Sequence, residues 1–379
     1  MKKVGIIGAG TMGVGIAQVA ATNGCFVTIF DANSQQAEKA KIGLQSTIEK
    51  LVSKGKISQE QGDSILSNCI FCSSLSDLAQ SDLIIEAIVE NKEIKHQVFT
   101  DLESLVLETC ILASNTSSIS ITSLASCLKK PERFIGIHFF NPAPLMPLVE
   151  IIPGLLTDAK LSSEMLQLMA DWGKVPVLAK DIPGFIVNRI ARPFYGEGLR
   201  IVEEGIATPE QVDDAMRSLG NFKMGPFELM DLIGVDVNFA VTKTVYQDYF
   251  YDRKYQPSLL QQRMSEAKLW GRKTGRGFYN YAENAENPIP DKNEKLYAEI
   301  FNRIIAMLIN EAVEAKRLKV ASDEDLDLAM MKGVNYPKGL LAWGEEIGFD
   351  RISKTLHDLY ETYQEERYRQ SPLLQKLAN

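Results

Sequence analysis

Two side chains in this sequence could do proton chemistry together. His138 lies inside the apolar run Phe134-Ile-Gly-Ile-His-Phe-Phe140, and Glu150 inside a second one, Pro147-Leu-Val-Glu-Ile-Ile152. Both runs read as strands, and the chain has only three histidines. An ionised carboxylate in an apolar run is costly unless it is paired. If the two strands are neighbours, each group relieves the other's desolvation. The carboxylate then accepts from one ring nitrogen, fixes the tautomer and favours the imidazolium. The other ring nitrogen becomes a general base. This is the base and orienting acid of a serine hydrolase without the serine. On spacing alone, a satisfied core histidine is an equal reading.

A second motif bears on that choice. Gly8-x-Gly10-x-x-Gly13 follows a short apolar strand, Val4–Ile7, and opens a helix over 12–22. In that context the first glycine permits a tight turn, the second a close approach to a pyrophosphate, and the third close helix–strand packing. The helix start offers unbonded N–H groups to the anion, which brings Thr11 and Met12 into the same site. Asp31 ends the next strand, 26–30, where an acidic residue takes the adenosine ribose hydroxyls of NAD. A carboxylate there repels the extra phosphate of NADP, and no arginine follows it. Oxidising an alcohol needs a proton acceptor beside the hydride acceptor, so an NAD site on the same domain favours the catalytic reading of His138.

Other polar clusters have structural readings as well. Ser114-Asn-Thr-Ser-Ser118 closes a strand at 110–114, where ligands bind in open α/β sheets, and it also suits a helix cap. Asn188 and Arg189 open the region after Pro183-Gly184. Gly271-Arg-Lys-Thr-Gly-Arg-Gly-Phe-Tyr-Asn-Tyr281 is a basic, glycine-rich turn.

These groups need a scaffold, and the pattern supplies one. Strand-like runs at 26–30, 69–72, 82–89, 110–114, 134–140, 148–152 and 175–179 alternate with helical stretches. That predicts a mostly parallel sheet covered on both faces, a Rossmann-type α/β domain over 1–182. Residues 34–66 predict one long helical arm broken at Gly55 and Gly62. From Ile186 onward only helices are expected, with a linker at 282–295. The helical part repeats at an offset of 114 residues without a gap: Asn188-Arg-Ile190 falls on Asn302-Arg-Ile304, Glu197 on Glu311, Asp213 on Asp327 and Leu259-Leu-Gln261 on Leu373-Leu-Gln375. An all-α domain is therefore expected twice, at 183–281 and as a degenerate copy at 296–379.

Composition excludes several classes. With 45% apolar and 24% charged residues the chain is of ordinary globular type. Its net charge of −8, without a dense basic block, argues against a nucleic-acid partner. No apolar run has the ~18 residues of a membrane span. The basic, apolar N-terminus resembles a signal peptide, but cleavage would destroy the glycine motif, so that reading is set aside. Five scattered cysteines, including Cys69-x-x-Cys72 with no second pair, predict neither disulfides nor a metal site and suit the cytoplasm.

Seven motifs taken in order resemble one family, the L-3-hydroxyacyl-CoA dehydrogenases of the 3-hydroxybutyryl-CoA type. They are the glycine motif at 8–13, Glu86-Ala-Ile-Val-Glu-Asn91, Ala113-Ser-Asn-Thr-Ser-Ser118, Gly136-Ile-His-Phe-Phe-Asn-Pro142, Asp181-Ile-Pro-Gly-Phe-Ile-Val-Asn-Arg189, Met224-Gly-Pro-Phe-Glu-Leu229 and Gly271-Arg-Lys-Thr-Gly-x-Gly-Phe-Tyr279. The resemblance implies that His138 is the catalytic base and Glu150 the carboxylate that holds it. It implies substrate contacts for Ser117 and Asn188, and a place near substrate and nicotinamide for Asn141. Glu90, Lys95 and Lys273 match positions that touch the cofactor. The arm after Asp31 matches the element that helps hold CoA, with partners for its phosphates expected among Lys50, Lys54 and Lys56. The implied reaction interconverts an L-3-hydroxyacyl-CoA and a 3-ketoacyl-CoA with NAD, short acyl chains favoured. The second helical copy lacks the Met-Gly-Pro-Phe-Glu segment and the basic turn, so it is expected to pack on the first as an internal pseudo-dimer without a site, leaving a monomer or weak homodimer. A dehydrogenase of a free hydroxy or sugar acid, and a non-catalytic NAD-binding protein of the same fold, are the alternatives.

Overall fold

The computed structural model describes residues 2–379, which form two compact units, one ending at Ile182 and one beginning at Pro183. In the first, eight strands form one sheet: β1 (Lys3–Ile7), β2 (Phe26–Phe30), β3 (Cys69–Cys72), β4 (Leu83–Glu86), β5 (Ile111–Ser114), β6 (Phe134–Phe139), β7 (Leu148–Pro153) and β8 (Val175–Leu178). Their order is β3-β2-β1-β4-β5-β6-β7-β8, and every pairing is parallel except β6 with β7. The central strands are buried on both faces: Ile6, Leu83, Ile84, Ile85 and Leu112 are wholly inaccessible. This explains why they read as continuous apolar runs rather than alternating ones. Helices α1 (Thr11–Thr22), α2 (Ser34–Ser53), α3 (Gln59–Asn68), α4 (Lys92–Leu105), α5 (Ile121–Ala125) and α6 (Ala159–Asp171) connect the strands.

The arm differs from the expected doubly broken helix. Gly55, with φ of +65°, does separate α2 from α3, and Ser58 restarts the chain with a reciprocal Ser58–Gln61 capping box. Gly62 breaks nothing. It is buried within α3, where a Cβ would stand 2.9 Å from Val52 Cγ2, so its role is close helix packing. The strand expected over 82–89 stops at Glu86, because the chain there turns to bring Ile88 N onto the Glu86 side chain.

The second unit holds α7 (Val187–Ile190), α8 (Arg192–Glu203), α9 (Pro209–Gly220), α10 (Pro226–Ile233), α11 (Val235–Asp248), α12 (Leu259–Glu266), α13 (Glu294–Arg317), α14 (Asp323–Gly333), α15 (Leu340–Ile347), α16 (Phe349–Tyr363) and α17 (Pro372–Leu377). The linker is two residues shorter than expected, since Asn293 caps α13. Matched positions repeat their local structure. Asp213 accepts from Phe227 N and Glu228 N, as Asp327 does from Leu341 N and Ala342 N. Asn221, which caps α9, and Asn335, just past the end of α14, both take left-handed φ, 56° and 55°. Pro193 lies in the first turn of α8, after α7, whereas α13 runs unbroken through the matching Met307.

The repeat is not gapless. Tyr249 and Tyr363, at the full offset, lie against Arg189 and Arg303 respectively. Beyond them the matching partners are one residue closer: Tyr255 with Tyr368, and helix-capping Ser258 with Ser371. The first copy spends two successive left-handed residues at the intervening turn, Phe250 and Tyr251, and the second only Gln364.

The two copies exchange buried ion pairs reciprocally. Arg189 Nε donates to Glu311 at 2.7 Å, and its counterpart Arg303 donates to Glu197 at 2.9 Å. Phe222 meets its own counterpart Tyr336 edge-on at 5.1 Å between centroids. A residue touching its counterpart marks a local twofold axis, as in an isologous dimer interface.

Candidate active site

The site is built on the carboxyl edge of the sheet. The strand order steps outward in both directions from β1 and β4, and that switch point is where open α/β sheets bind ligands. Gly8 turns there with φ of +104°, and a Cβ on it would fall 2.5 Å from Ala87 O. A Cβ on Gly13 would fall 1.8 Å from Gly8 O, so no other residue fits either position. Gly10, by contrast, faces open space. It caps α1 without a side-chain bond, and the first turn of α1 has no acidic residue. The N–H groups of Thr11 and Met12 therefore start a helix whose positive end suits an anion. Asp31, at the end of β2, is braced by Ala9 N at 2.7 Å and Asn33 N at 2.8 Å. Gln36 donates to Ala9 O at 2.8 Å and ties the arm to this turn. This constellation fits a dinucleotide: room above Gly10 for a pyrophosphate, and an acceptor at Asp31 for ribose hydroxyls.

His138 and Glu150 are directly opposed residues of the antiparallel pair β6 and β7. The ring Nδ1 lies 2.6 Å from Glu150 Oε2, with the two side chains 7% and 0% exposed. An ionised carboxylate only accepts, so Nδ1–H donates and Nε2 is the acceptor nitrogen. The sheet register places both on one face because cross-strand partners share a side. The Phe140 ring packs against the imidazole at 4.5 Å between centroids.

The loop after β5 is held from several directions. Asn115 Oδ1 accepts from Phe139 N at 2.7 Å, which ties this loop to the strand carrying His138. Glu90 Oε1 accepts from Thr116 Oγ1, Ser117 N, Ser118 N and Ser118 Oγ at 2.6–3.2 Å. Burial alone would raise the Glu90 carboxyl, but the Lys95 ammonium and these donors outweigh it and hold it below the usual carboxylate range. Lys95 is buried and pairs with Glu86 at 2.6 Å and Glu90 at 3.2 Å.

The expected site residues thus fall into groups. In the first unit, the glycine turn, Asp31, Glu90, Lys95, Ser117, His138 and Glu150 all lie at or just beyond the carboxyl ends of β1, β2, β4, β5 and β6 and on the neighbouring β7, and Asn141 is exposed just after β6. Lys50, Lys54 and Lys56 are exposed around the turn from α2 to α3. In the second unit, Asn188 lies on α7, and Lys273 pairs with Asp236 at 2.6 Å and lies over the Trp270 ring. Two residues escaped notice as individuals, Glu86 and Asn115. The signal for Glu86 was present: a carboxylate inside the apolar run Leu83-Ile-Ile-Glu-Ala-Ile-Val89 poses the same desolvation problem as Glu150.

Comparison with known proteins agrees with this geometry. Residues 3–182 match the NAD-binding domain of 3-hydroxyacyl-CoA dehydrogenase. The C-terminal domain of the same family matches at 184–281 and again at 300–379. Over its whole length the chain is 36% identical to the 3-hydroxyadipyl-CoA dehydrogenase of Escherichia coli K12, covering 98% of that protein. It is 43% identical to a probable 3-hydroxybutyryl-CoA dehydrogenase of Deinococcus radiodurans, with 74% of this chain and all of the relative aligned. Among solved structures, a 3-hydroxybutyryl-CoA dehydrogenase from Escherichia coli K12 superposes with a TM-score of 0.93 at 35% identity, over all of this chain and 98% of that one. A glycine turn shaped for a dinucleotide, a carboxylate-held histidine and both family domains in order lead to one conclusion: the chain belongs to the 3-hydroxyacyl-CoA dehydrogenase family.

Proposed function

We propose that this chain interconverts an L-3-hydroxyacyl-CoA and the corresponding 3-ketoacyl-CoA, with short acyl chains such as 3-hydroxybutyryl favoured. The observation that carries the reading is the 2.6 Å bond between His138 Nδ1 and Glu150 at the edge of an NAD-binding domain. NAD, when held by the glycine turn and Asp31, supplies the two-electron acceptor for the C3 hydride. His138 Nε2 takes the hydroxyl proton as the C3–O bond becomes a carbonyl, and returns it in the reverse direction. Glu150 offsets the charge of the imidazolium so formed. In this reading Ser117 and Asn188 serve the 3-oxygen and the thioester, and Asn141 serves the substrate and nicotinamide side. Glu90, Lys95 and Lys273 serve the cofactor side, and the CoA phosphates find partners among Lys50, Lys54 and Lys56. The name of the full-length relative makes a carboxylated acyl end the second substrate to try.

The test is NADH absorbance on addition of acetoacetyl-CoA, for the native chain and His138→Gln together. Fast oxidation that collapses in the variant, while NADH still binds, supports the reading. No oxidation with acetoacetyl-CoA or 3-ketoadipyl-CoA, or equal turnover of the free 3-keto acid, overturns it.

The helical repeats form an internal pseudo-dimer, and residues 296–379 carry no site of their own. Support comes from the reciprocal Arg189–Glu311 and Arg303–Glu197 pairs, which occupy with one chain an interface of the kind two chains would share. The working form is then a monomer or weak homodimer. A cytoplasmic location is part of the same proposal; the described cysteines are free, and no helix among the described residues is long and apolar enough to cross a membrane.

A further inference from the structure

Resting on the dehydrogenase reading above, we infer that Glu86 is a positioning residue of the active site: through the buried Lys95 ammonium it sets the Glu90 carboxylate, and through Glu90 the loop that carries Ser117. Glu86 is wholly inaccessible, so any effect it has on the reaction must pass through its neighbours. Its Oε1 accepts from Lys95 Nζ at 2.6 Å and from Ile88 N at 2.7 Å, and its Oε2 from Ser114 Oγ at 2.6 Å. One carboxylate thereby joins the end of β4, the helix α4 and the end of β5.

The two oxygens of Glu90 are divided between tasks. Oε2 faces Lys95, and Oε1 gathers the hydroxyl and amide donors of residues 116–118. The orientation of that carboxylate therefore follows the ammonium, and the ammonium follows Glu86, its shorter and fully buried partner. A lysine 1% exposed cannot find water as a substitute. If Glu86 loses its charge, the ammonium shifts toward Glu90 as its one remaining counter-ion. The Glu90 carboxylate then turns, and the Ser117 and Ser118 amides lose their common acceptor. A weaker route bypasses Glu90, since Thr116 N donates to Ser114 Oγ at 3.1 Å, and it sets the small residual effect allowed in the cycle below.

Glu86→Gln is isosteric; it removes the charge and, with the amide oxygen kept toward Lys95 and Ile88, turns the acceptor facing Ser114 Oγ into a donor, which a hydroxyl can accept. In the ligand-free protein, amide hydrogen exchange over 116–118 should rise about tenfold or more while the β6–β7 hairpin stays protected. In turnover, kcat should fall about 100-fold, as for a small misplacement of an orienting group. The decisive comparison is a double-mutant cycle with Glu90→Gln. Acting through Glu90, Glu86→Gln should slow the Glu90→Gln enzyme by no more than about threefold. Independent, multiplying losses overturn the inference, as does a Glu86→Gln enzyme with native kcat, KM and loop exchange but a lower melting temperature. If Glu86→Gln does not fold, Glu86→Gln/Lys95→Met neutralises both buried partners, and the same cycle with Glu90→Gln applies. Absence of acyl-CoA turnover in the native chain would count against the dehydrogenase reading alone, because the exchange measurement needs no substrate.

Discussion

Replacing Glu150 by Gln isolates the charge that faces His138. The side chains are opposed across β6 and β7, 2.6 Å apart and nearly inaccessible, so the isosteric amide should keep the register. The amide can still accept from Nδ1–H, but it cannot offset an imidazolium. Two unit charges with centres roughly 4 Å apart attract by about 4 kcal/mol at an effective dielectric of about 20. A charge-assisted bond exceeds a neutral one by at least ~1 kcal/mol, which sets the floor. A loss of about 1–4 kcal/mol in the transition state slows turnover roughly 5- to 1,000-fold. The amide turned the other way would donate to Nδ1 and place the proton on Nε2, deepening the loss. The assay is kcat at saturating acetoacetyl-CoA and NADH, with NADH affinity by fluorescence and melting temperature alongside. A variant within about threefold of native kcat would refute the role of the charge. A fall in NADH affinity and melting temperature that accounts for the lost rate would show Glu150 to be structural instead.

The other predictions concern the helical repeat. Glu311 would be raised by burial, but the Lys254 ammonium and Arg189 guanidinium outweigh it and hold the carboxyl down to about 2, against 4.5 for the free group. A folded value below the unfolded one means that this stabilisation, ~3 kcal/mol, is present above pH ~4.5 and lost as the pH falls toward ~2. Urea unfolding of Glu311→Ala at neutral pH should show ~3–5 kcal/mol lost, since Arg189 and Lys254 are left buried without their partner, and the acid dependence over that window should flatten. Native stability from pH 5 to 3 that matches the variant's would refute the assignment. Light scattering should give a mass near 42.2 kDa at micromolar concentration. An obligate dimer built through residues 183–281 would sink the internal pseudo-dimer.

Legibility followed range of interaction. The β1–α1–β2 unit could be read because its determinants are local: apolar runs buried on both faces, a turn open only to glycine, and an acid ending the next strand. The pairing of His138 with Glu150 could be posed as a problem of burial, but its solution needed the antiparallel register of β6 and β7. Gly62 misled because a helical glycine weakens a helix in isolation, whereas here it lets α3 lie close to Val52. The missing residue after Gln364 was hidden because the leucine match at 373 fits the longer offset by composition, while the capping serine at 371 obeys the shorter one.

By itself, then, the sequence determined the order of strands and helices, the glycine turn, the candidate pair His138 and Glu150 and the repeat in the helical part, because periodicity, backbone permissiveness and side-chain chemistry are properties of short segments. Only the tertiary structure decided which buried charges meet: Glu150 with His138, Glu86 with Lys95, Arg189 with Glu311 and Arg303 with Glu197. A buried charge must have a partner, but the partner lies 9 to 122 residues away along the chain and is chosen by strand register and helix packing.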